Sequence, residues 1–360
     1  MTKKCIKNAL METNLAAEEL DSTVPTQEQY NRLYGYARRV FDHAPWETMY
    51  ETQILAVRGT ASGKTQFISV MGNLGEHLAV AFYPSLKTLD TMQGHKDNFQ
   101  DSIDCIMGQQ HLQLVFDRKS DLLDGEAGTI KKSGVAFGKE TGGKWPSAQS
   151  LVPGYAPLKA GGEELERMLE GVEQLLHKLD TREPIPEITS VSEAICSRIY
   201  ADGIWQDTML KYDMTPDMMQ SVFVPSDLLE KFHALPVDNQ KLVCGCFTIP
   251  MPMGSSKKRT IMPKIMMTMD RETGMIGGTI VSEPPTDGIW KLEQAFTAWL
   301  EKIIKSGTRP QSIRFEGWYL SSFSSVLCKS LHVKEDTKPC PEIYDVFQKL
   351  LTRLTGSALR

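Results

Sequence analysis

Gly59-Thr-Ala-Ser-Gly-Lys-Thr65 has the makings of a phosphate cradle, with glycines and hydroxyls ahead of a lysine. Such a loop needs its first glycine one place earlier, where Arg58 stands, and must feed a helix whose N–H groups face the anion. Gln66-Phe-Ile-Ser-Val-Met71 alternates as a strand does, so the loop reads as a hairpin turn. Glu76 and His77, just after Gly72 and Gly75, pair an acid with an imidazole that can bind a polar ligand or carry a proton. The plainer reading is a surface histidine where a strand starts. Trp145 and Tyr155 lie in a stretch rich in Gly and Pro and are the other candidate ligand contacts, because loops held by a rigid scaffold carry function. Equally, large aromatics there pin the loop to the core. Cys244 and Cys246 point to one side of a strand, with Met262, Met266, Met267 and Met269 nearby, a set of soft donors suited to Cu(I). Buried thiols and thioethers also fill irregular cores, which is the reading adopted, and no metal site is assigned.

These residues need a scaffold, and composition bounds it. The chain has 360 residues, 41% of them hydrophobic and 24% charged, with a net charge of −5. At about 150 residues per domain this makes roughly two domains. No apolar run approaches the roughly 18 residues of a bilayer span, so no membrane partner is expected. Seven scattered cysteines without a CxxC pair read as reduced thiols. Lys3, Lys4 and Lys7 are followed by Asn8, Glu12 and Asn14 where an export signal would be apolar, so a cytoplasmic location is expected. The expected partner is a protein or a small molecule. Nucleic acid rests only on the basic loop Lys257-Lys-Arg259 and on eleven Lys or Arg against seven Asp or Glu from Ile289 onward.

Residues 1–25 read as a flexible lead-in. Residues 26–186 read as an α+β domain, an antiparallel meander with helices. Thr26 and Gln29 form a capping-box pattern ahead of a helix, and strands are expected over 53–58, 66–71, 78–83 and 112–116. Residues 86–107 read as helical, with Asp97, Asp101 and Asp104 on a solvent-facing side. Residues 125–157 read mostly as loop, and 163–179 as an amphipathic helix. The Thr181-to-Glu187 segment, with two prolines, marks a boundary, and 187–237 reads as a helical connecting segment. Residues 238–360 read as an α/β domain with a mixed sheet in the order β-β-β-α-β-α-β-α.

Val70-Met-Gly-Asn-Leu-Gly-Glu-His77, Trp145-Pro146 with Pro153-Gly-Tyr-Ala-Pro157, Phe223-Val-Pro-Ser226, Asp270 to Gly274 and Arg309-Pro-Gln-Ser-Ile313 resemble an uncharacterised bacterial family catalogued as two domains of unknown function. The resemblance spans most of residues 26–355 and brings no known activity. Leu158 and Ala148 depart from it where aromatics are common. The element order of the second half resembles the ribonuclease-H-like fold of integrases and transposases. That resemblance implies a pair of Mg²⁺ or Mn²⁺ ions held by carboxylates, for which Asp270, Glu316 and Glu342 are the candidates. The strand Lys241 to Ile249 has no acid where such an enzyme places its first one. The reading adopted is a non-catalytic binding or regulatory protein, and the alternative is a metal-dependent nuclease or phosphoryl-transfer enzyme.

Overall fold

A computed structural model describes residues 23–73, 75, 77–85, 99–188, 194–211, 224–253, 260–284 and 290–355. The expected lead-in falls almost wholly outside these residues. The chain divides into two compact units. Residues 1–90, 109–152 and 157–216 make the first, and 91–108, 153–156 and 217–360 the second.

In the first unit, α1 (Gln27–His43) starts at the expected box: Gln29 N–H donates to Thr26 Oγ1 at 3.2 Å, and Thr26 N–H donates to Gln29 Oε1 at 2.7 Å. The meander β1 (Leu55–Arg58), β2 (Gln66–Met71), β3 (Ala79–Tyr83) and β4 (His111–Arg118) follows the alternation of the sequence. Residues 125–157, read as loop, instead hold α3 (Glu126–Ser133) and β5 (Lys144–Leu151), the latter paired with β4 over eight positions. No apolar alternation marks this strand, because its buried residues include Ser147, Gln149 and Ser150. A short strand, β6 (Leu158–Lys159), borders it. Helix α4 (Gly162–Thr181) packs Leu165, Met168, Leu169 and Val172 with Leu33 and Val40 of α1 over Val57, Ile68, Val80 and Leu114 of the sheet.

Residues 187–237, expected as a helical connection, contain a hairpin, β7 (Ala194–Ala201) and β8 (Ile204–Lys211), followed by one helix, α5 (Ser226–His233). Asp202 and Gly203 join the two strands with φ of 53° and 82°, the positive pair that a two-residue hairpin of matching twist requires. Ile195, Tyr200, Ile204 and Trp205 then favour the strand over the helix. β7 lies parallel to β1, completing an eight-stranded mixed sheet in the order β6-β5-β4-β3-β2-β1-β7-β8.

The second unit has helix α2 (Phe99–Met107), β9 (Lys241–Thr248), β10 (Lys264–Asp270) and β11 (Ile276–Ser282). These are followed by α6 (Leu292–Ser306), β12 (Ser312–Glu316), the short helices α7 (Trp318–Ser321) and α8 (Ser324–Ser330), β13 (Lys334–Glu335) and α9 (Glu342–Thr355). Its five-stranded sheet runs β11-β10-β9-β12-β13, with β9, β10 and β11 antiparallel and β12 and β13 parallel to β9. Helices cover both faces. Leu242, Cys244 and Cys246 of β9 pack with Phe296, Trp299 and Leu300 of α6, while Val243 and Phe247 pack with Ile343, Phe347 and Leu351 of α9. A strand buried on both sides reads as a continuous apolar run, which is what Leu242 to Phe247 is. Gly245 is part of that fit, since a Cβ there would lie 2.5 Å from the Phe247 ring and 3.1 Å from Ile343. Both units are thus mixed α/β with mixed sheets, and among the described residues no helix is long and apolar enough to cross a membrane.

Candidate functional site

The turn that resembled a phosphate cradle closes on an anion belonging to the chain itself. Glu170 of α4 accepts the Thr60 N–H at 2.7 Å, the Ala61 N–H at 2.9 Å and the Thr60 hydroxyl at 2.9 Å through one oxygen. Gly59 lets that carboxylate in, because a Cβ there would sit 2.4 Å from it. The loop does bind a carboxylate, but it leads into β2 rather than a helix. Glu170→Ala should destabilise the fold by about 1 kcal/mol and speed amide exchange at Thr60 and Ala61. Unchanged exchange at those two amides would contradict this role.

The same hairpin forms one wall of a cleft of about 100 Å³ at the end of the first sheet. Ser62, Lys64, Thr65 and Gln66 come from the hairpin, Tyr83 and Pro84 from the end of β3, and Gln110 and His111 from the start of β4. Ser150 and Leu151 end β5, and Glu164 and Arg167 come from the first turns of α4. Glu164 is held in place: one oxygen accepts the Ser150 hydroxyl at 2.8 Å and the other the Gly161 N–H at 3.0 Å. The Arg167 carbonyl takes the Gln66 side-chain amide at 2.8 Å, which ties hairpin to helix.

His111 is the unusual member. Its ring is 3% exposed and lies 5.1 Å from the Tyr83 ring at an interplanar angle of 30°. Burial drives its pKa down to about 4, with the Gln109 carbonyl and the Gln113 side chain opposing the shift only in part. At neutral pH it is therefore an uncharged imidazole with one donor and one acceptor. Neither ring nitrogen has a hydrogen-bond partner of acceptable geometry. A buried polar atom left this way costs about 1–3 kcal/mol.

Apart from the hairpin, none of the described residues singled out from sequence lines this cleft. Glu76 falls outside the described residues. His77 is half-buried before β3, where its Nε2 lies 3.3 Å from Gln113 Oε1 and burial lowers its pKa. From there a polar chain crosses the sheet: Gln113 Nε2 donates to Gln149 Oε1 at 2.8 Å, Gln149 Nε2 to Ser147 Oγ at 3.0 Å, and the Ser147 hydroxyl to Glu126 Oε1 at 2.9 Å. Trp145 is half-buried against the first core, with the Lys119 ammonium 5.1 Å from its ring centre. It pairs with Asp117 at the end of β4 opposite the one His111 begins. Tyr155 belongs to the second unit, bridged to Ile261, whereas His77 and Trp145 belong to the first.

The three carboxylates of the alternative reading are likewise separated. Asp270 sits opposite Leu242 and Glu316 opposite Gly245, on the two neighbours of β9, so their backbones are roughly 14 Å apart. Asp270 Oδ1 accepts the Thr273 N–H and hydroxyl, both at 2.8 Å, as a turn residue does. Glu316 pairs with Arg314 at 2.9 Å and accepts the Cys340 N–H at 2.8 Å, and Glu342 accepts the Cys340 thiol at 3.1 Å. Glu316 and Glu342 thus flank Cys340, and Asp270 does not join them. Among the described residues no three His, Cys, Asp or Glu side chains are grouped to hold a metal ion. The sulfur donors also divide, with Cys244, Cys246 and Met266 on one face of the second sheet and Met267 and Met269 on the other.

The acids read as solvent-facing on α2 are in fact buried, Asp101 at 5% and Asp104 at 0% exposure; Asp97 falls outside the described residues. Asp104 Oδ1 accepts the Thr248 N–H at 2.7 Å at the end of β9, and Asp101 Oδ1 accepts the Trp318 N–H at 3.2 Å at the start of α7. Beside Asp104 lies Lys264, fully buried, whose ammonium donates to Thr248 Oγ1 at 2.9 Å and to the Tyr319 hydroxyl. It also stands 4.3 Å from the Tyr319 ring centre and 4.9 Å from that of Trp290. The amphipathic reading of α2 failed because the docked side of the helix is its acidic one. The available signal was Lys264 itself, a lone cation within Ile261-Met-Pro-Lys-Ile-Met-Met267.

A family model described as Domain of unknown function (DUF7309) matches residues 30–194, and one described as Domain of unknown function (DUF6930) matches residues 228–351. Two domains of unknown function therefore cover the chain. This is consistent with an uncharacterised two-domain family. The DUF7309 match contains every residue that lines the cleft and ends where β7 begins, while the DUF6930 match contains the whole second sheet. No curated protein and no solved structure is matched.

Proposed function

We propose that this chain is a non-catalytic binding protein of the cytoplasm whose DUF7309 part takes a small molecule into the cleft at the end of its sheet. The observation that carries this reading is His111, an uncharged, buried imidazole in the lining of that cleft, neither of whose nitrogens makes a hydrogen bond of good geometry. The ring lies against Tyr83 in the wall of the cleft, and a turn of that ring would bring one of its buried nitrogens to a molecule inside. The six described cysteines are all free thiols, which supports the cytoplasmic part of the reading.

For the DUF6930 part, we infer a ribonuclease-H-like topology. The supporting observation is its strand order, three antiparallel strands with β9 central and two further strands parallel to it. That order is the only feature favouring the phosphoryl-transfer alternative with Mg²⁺ or Mn²⁺, since Asp270, Glu316 and Glu342 each have other partners. We therefore keep it as a scaffold.

The test is to purify the wild-type chain and His111→Phe from cells, denature both, and identify the small molecules released by mass spectrometry. One compound at close to one per wild-type chain and strongly depleted from the variant is the expected result. Equal release from both, or none from either, would refute the cleft as the binding site.

A further inference from the structure

The lining of the cleft specifies the class of molecule it takes. Lys64 and Arg167 both reach the cleft, and among the described residues neither cation forms an ion pair with a carboxylate. Glu164, also in the lining, and Glu170, one turn along α4 from Arg167, have other partners, Glu164 the Ser150 hydroxyl and the Gly161 N–H and Glu170 the hairpin amides. Lys64 and Arg167 outnumber the Glu164 carboxylate in the lining, and with the Ser62 and Thr65 hydroxyls beside them they make a site for oxygen acceptors. The far wall differs. His111 is uncharged and packed against Tyr83 with both nitrogens covered, so the wall it forms meets a part of the ligand without net charge. The volume of about 100 Å³ is several times the 10–15 Å³ that one water needs, so a molecule of several heavy atoms fits.

We propose that the cleft binds a small oxyanion, a carboxylate or phosphate ester, with its charged end between Lys64 and Arg167 and its uncharged polar body against His111. This rests on the reading of the cleft as a ligand site and adds the charge and orientation of the ligand. The Gly59-to-Thr65 hairpin then contributes through Lys64 and its hydroxyls rather than through its amides, which Glu170 occupies.

The experiment titrates the full chain by calorimetry with benzoate, phenyl phosphate and benzamide, the last being the uncharged counterpart of benzoate. The same titrations are run on Lys64→Gln, Arg167→Gln and His111→Phe, each checked for native folding by circular dichroism. Either anion should bind the wild type about tenfold or more tighter than benzamide, and Lys64→Gln and Arg167→Gln should each remove most of that advantage. His111→Phe should weaken all three probes by a similar factor. Comparing benzoate with phenyl phosphate identifies which oxyanion the site prefers. If benzamide binds as well as benzoate, and the Lys64 and Arg167 variants bind like wild type while His111→Phe does not, the oxyanion proposal fails and the cleft remains a binding site. If a folded wild-type chain binds none of the three probes at tens of millimolar, both readings fall.

Discussion

Asp104→Ala should lower the free energy of unfolding by about 3–5 kcal/mol, the usual result of removing one member of a buried charged cluster. The substitution leaves the Thr248 N–H without its acceptor and the Lys264 ammonium, fully buried, without the negative charge that supports it. Replacing both residues, Asp104→Ala with Lys264→Met, should recover at least half of that loss, because an apolar pair no longer has a charge to desolvate. Denaturant unfolding of the two single variants and the double variant measures the coupling. Additive effects would show that the two residues act independently.

Lys264 also gives this cluster a pH signature. Burial pushes its pKa from 10.5 down to about 8, against the support of Asp104 and Cys246. Below about pH 8 folded and unfolded chains both hold the proton, and the folded chain bears the full cost of the buried charge. Between about 8 and 10.5 only the unfolded chain still binds it, so the Lys264 contribution to stability rises with pH across that window. Neighbouring acids work in the opposite sense. Burial raises the pKa of Cys246, Cys244 and Tyr319, so they ionise first in the unfolded chain and stability falls as pH rises. Subtracting the stability curve of Lys264→Met from that of wild type isolates the lysine, and the difference should climb between pH 8 and 10.5. A flat difference would mean that Lys264 titrates as an exposed lysine does.

Glu126→Ala should cost about 3 kcal/mol, with no change in the helix–sheet packing around it. The carboxylate is 3% exposed and accepts the Leu123 N–H at 2.8 Å, the Ser147 hydroxyl at 2.9 Å and the Ala148 N–H at 3.2 Å, so its removal orphans three donors together. Burial raises its pKa above 4.5, so the ionised carboxylate already costs the native state something at neutral pH. Glu126→Gln keeps an acceptor oxygen and loses that charge, so it should be much milder than the alanine variant. Because Glu126 ends the polar chain that starts at His77, both changes should move the His77 ring signals in an NMR spectrum of labelled histidines. A stable Glu126→Ala with unmoved His77 signals would mean that the chain of hydrogen bonds does not act as a unit.

Much of the framework was legible because its causes are local. The Thr26–Gln29 box starts α1 through bonds between residues three apart, and the apolar stripe from Leu165 to Leu176 needs only its own spacing to make α4 amphipathic. Strands β9 to β12 and helix α6 of the second unit follow from strand and helix periods read one element at a time. The Asp202-Gly203 hairpin was equally local and could have been read, since an Asp-Gly pair between β-branched and aromatic residues is a strong turn signal. β5 was less accessible because Ser147, Gln149 and Ser150 occupy positions where an apolar pattern was sought.

The sequence by itself determined the elements with local causes, α1, α4, the meander β1 to β4 and the core strand β9, because period, caps and turn residues act within a few positions. Only the tertiary structure decided which polar residues are buried. Asp104 meets its Thr248 partner across 144 residues, Ser147 meets Glu126 across 21, and His111 joins Lys64 and Arg167 in one cleft only when the ends of three strands and a helix converge. Whether a carboxylate, ammonium or imidazole faces water or core depends on partners that no local pattern identifies. That is why His111 and Arg167 carried no local signal, while Lys64 stood out only within a phosphate-loop pattern that leads into a strand and closes on Glu170.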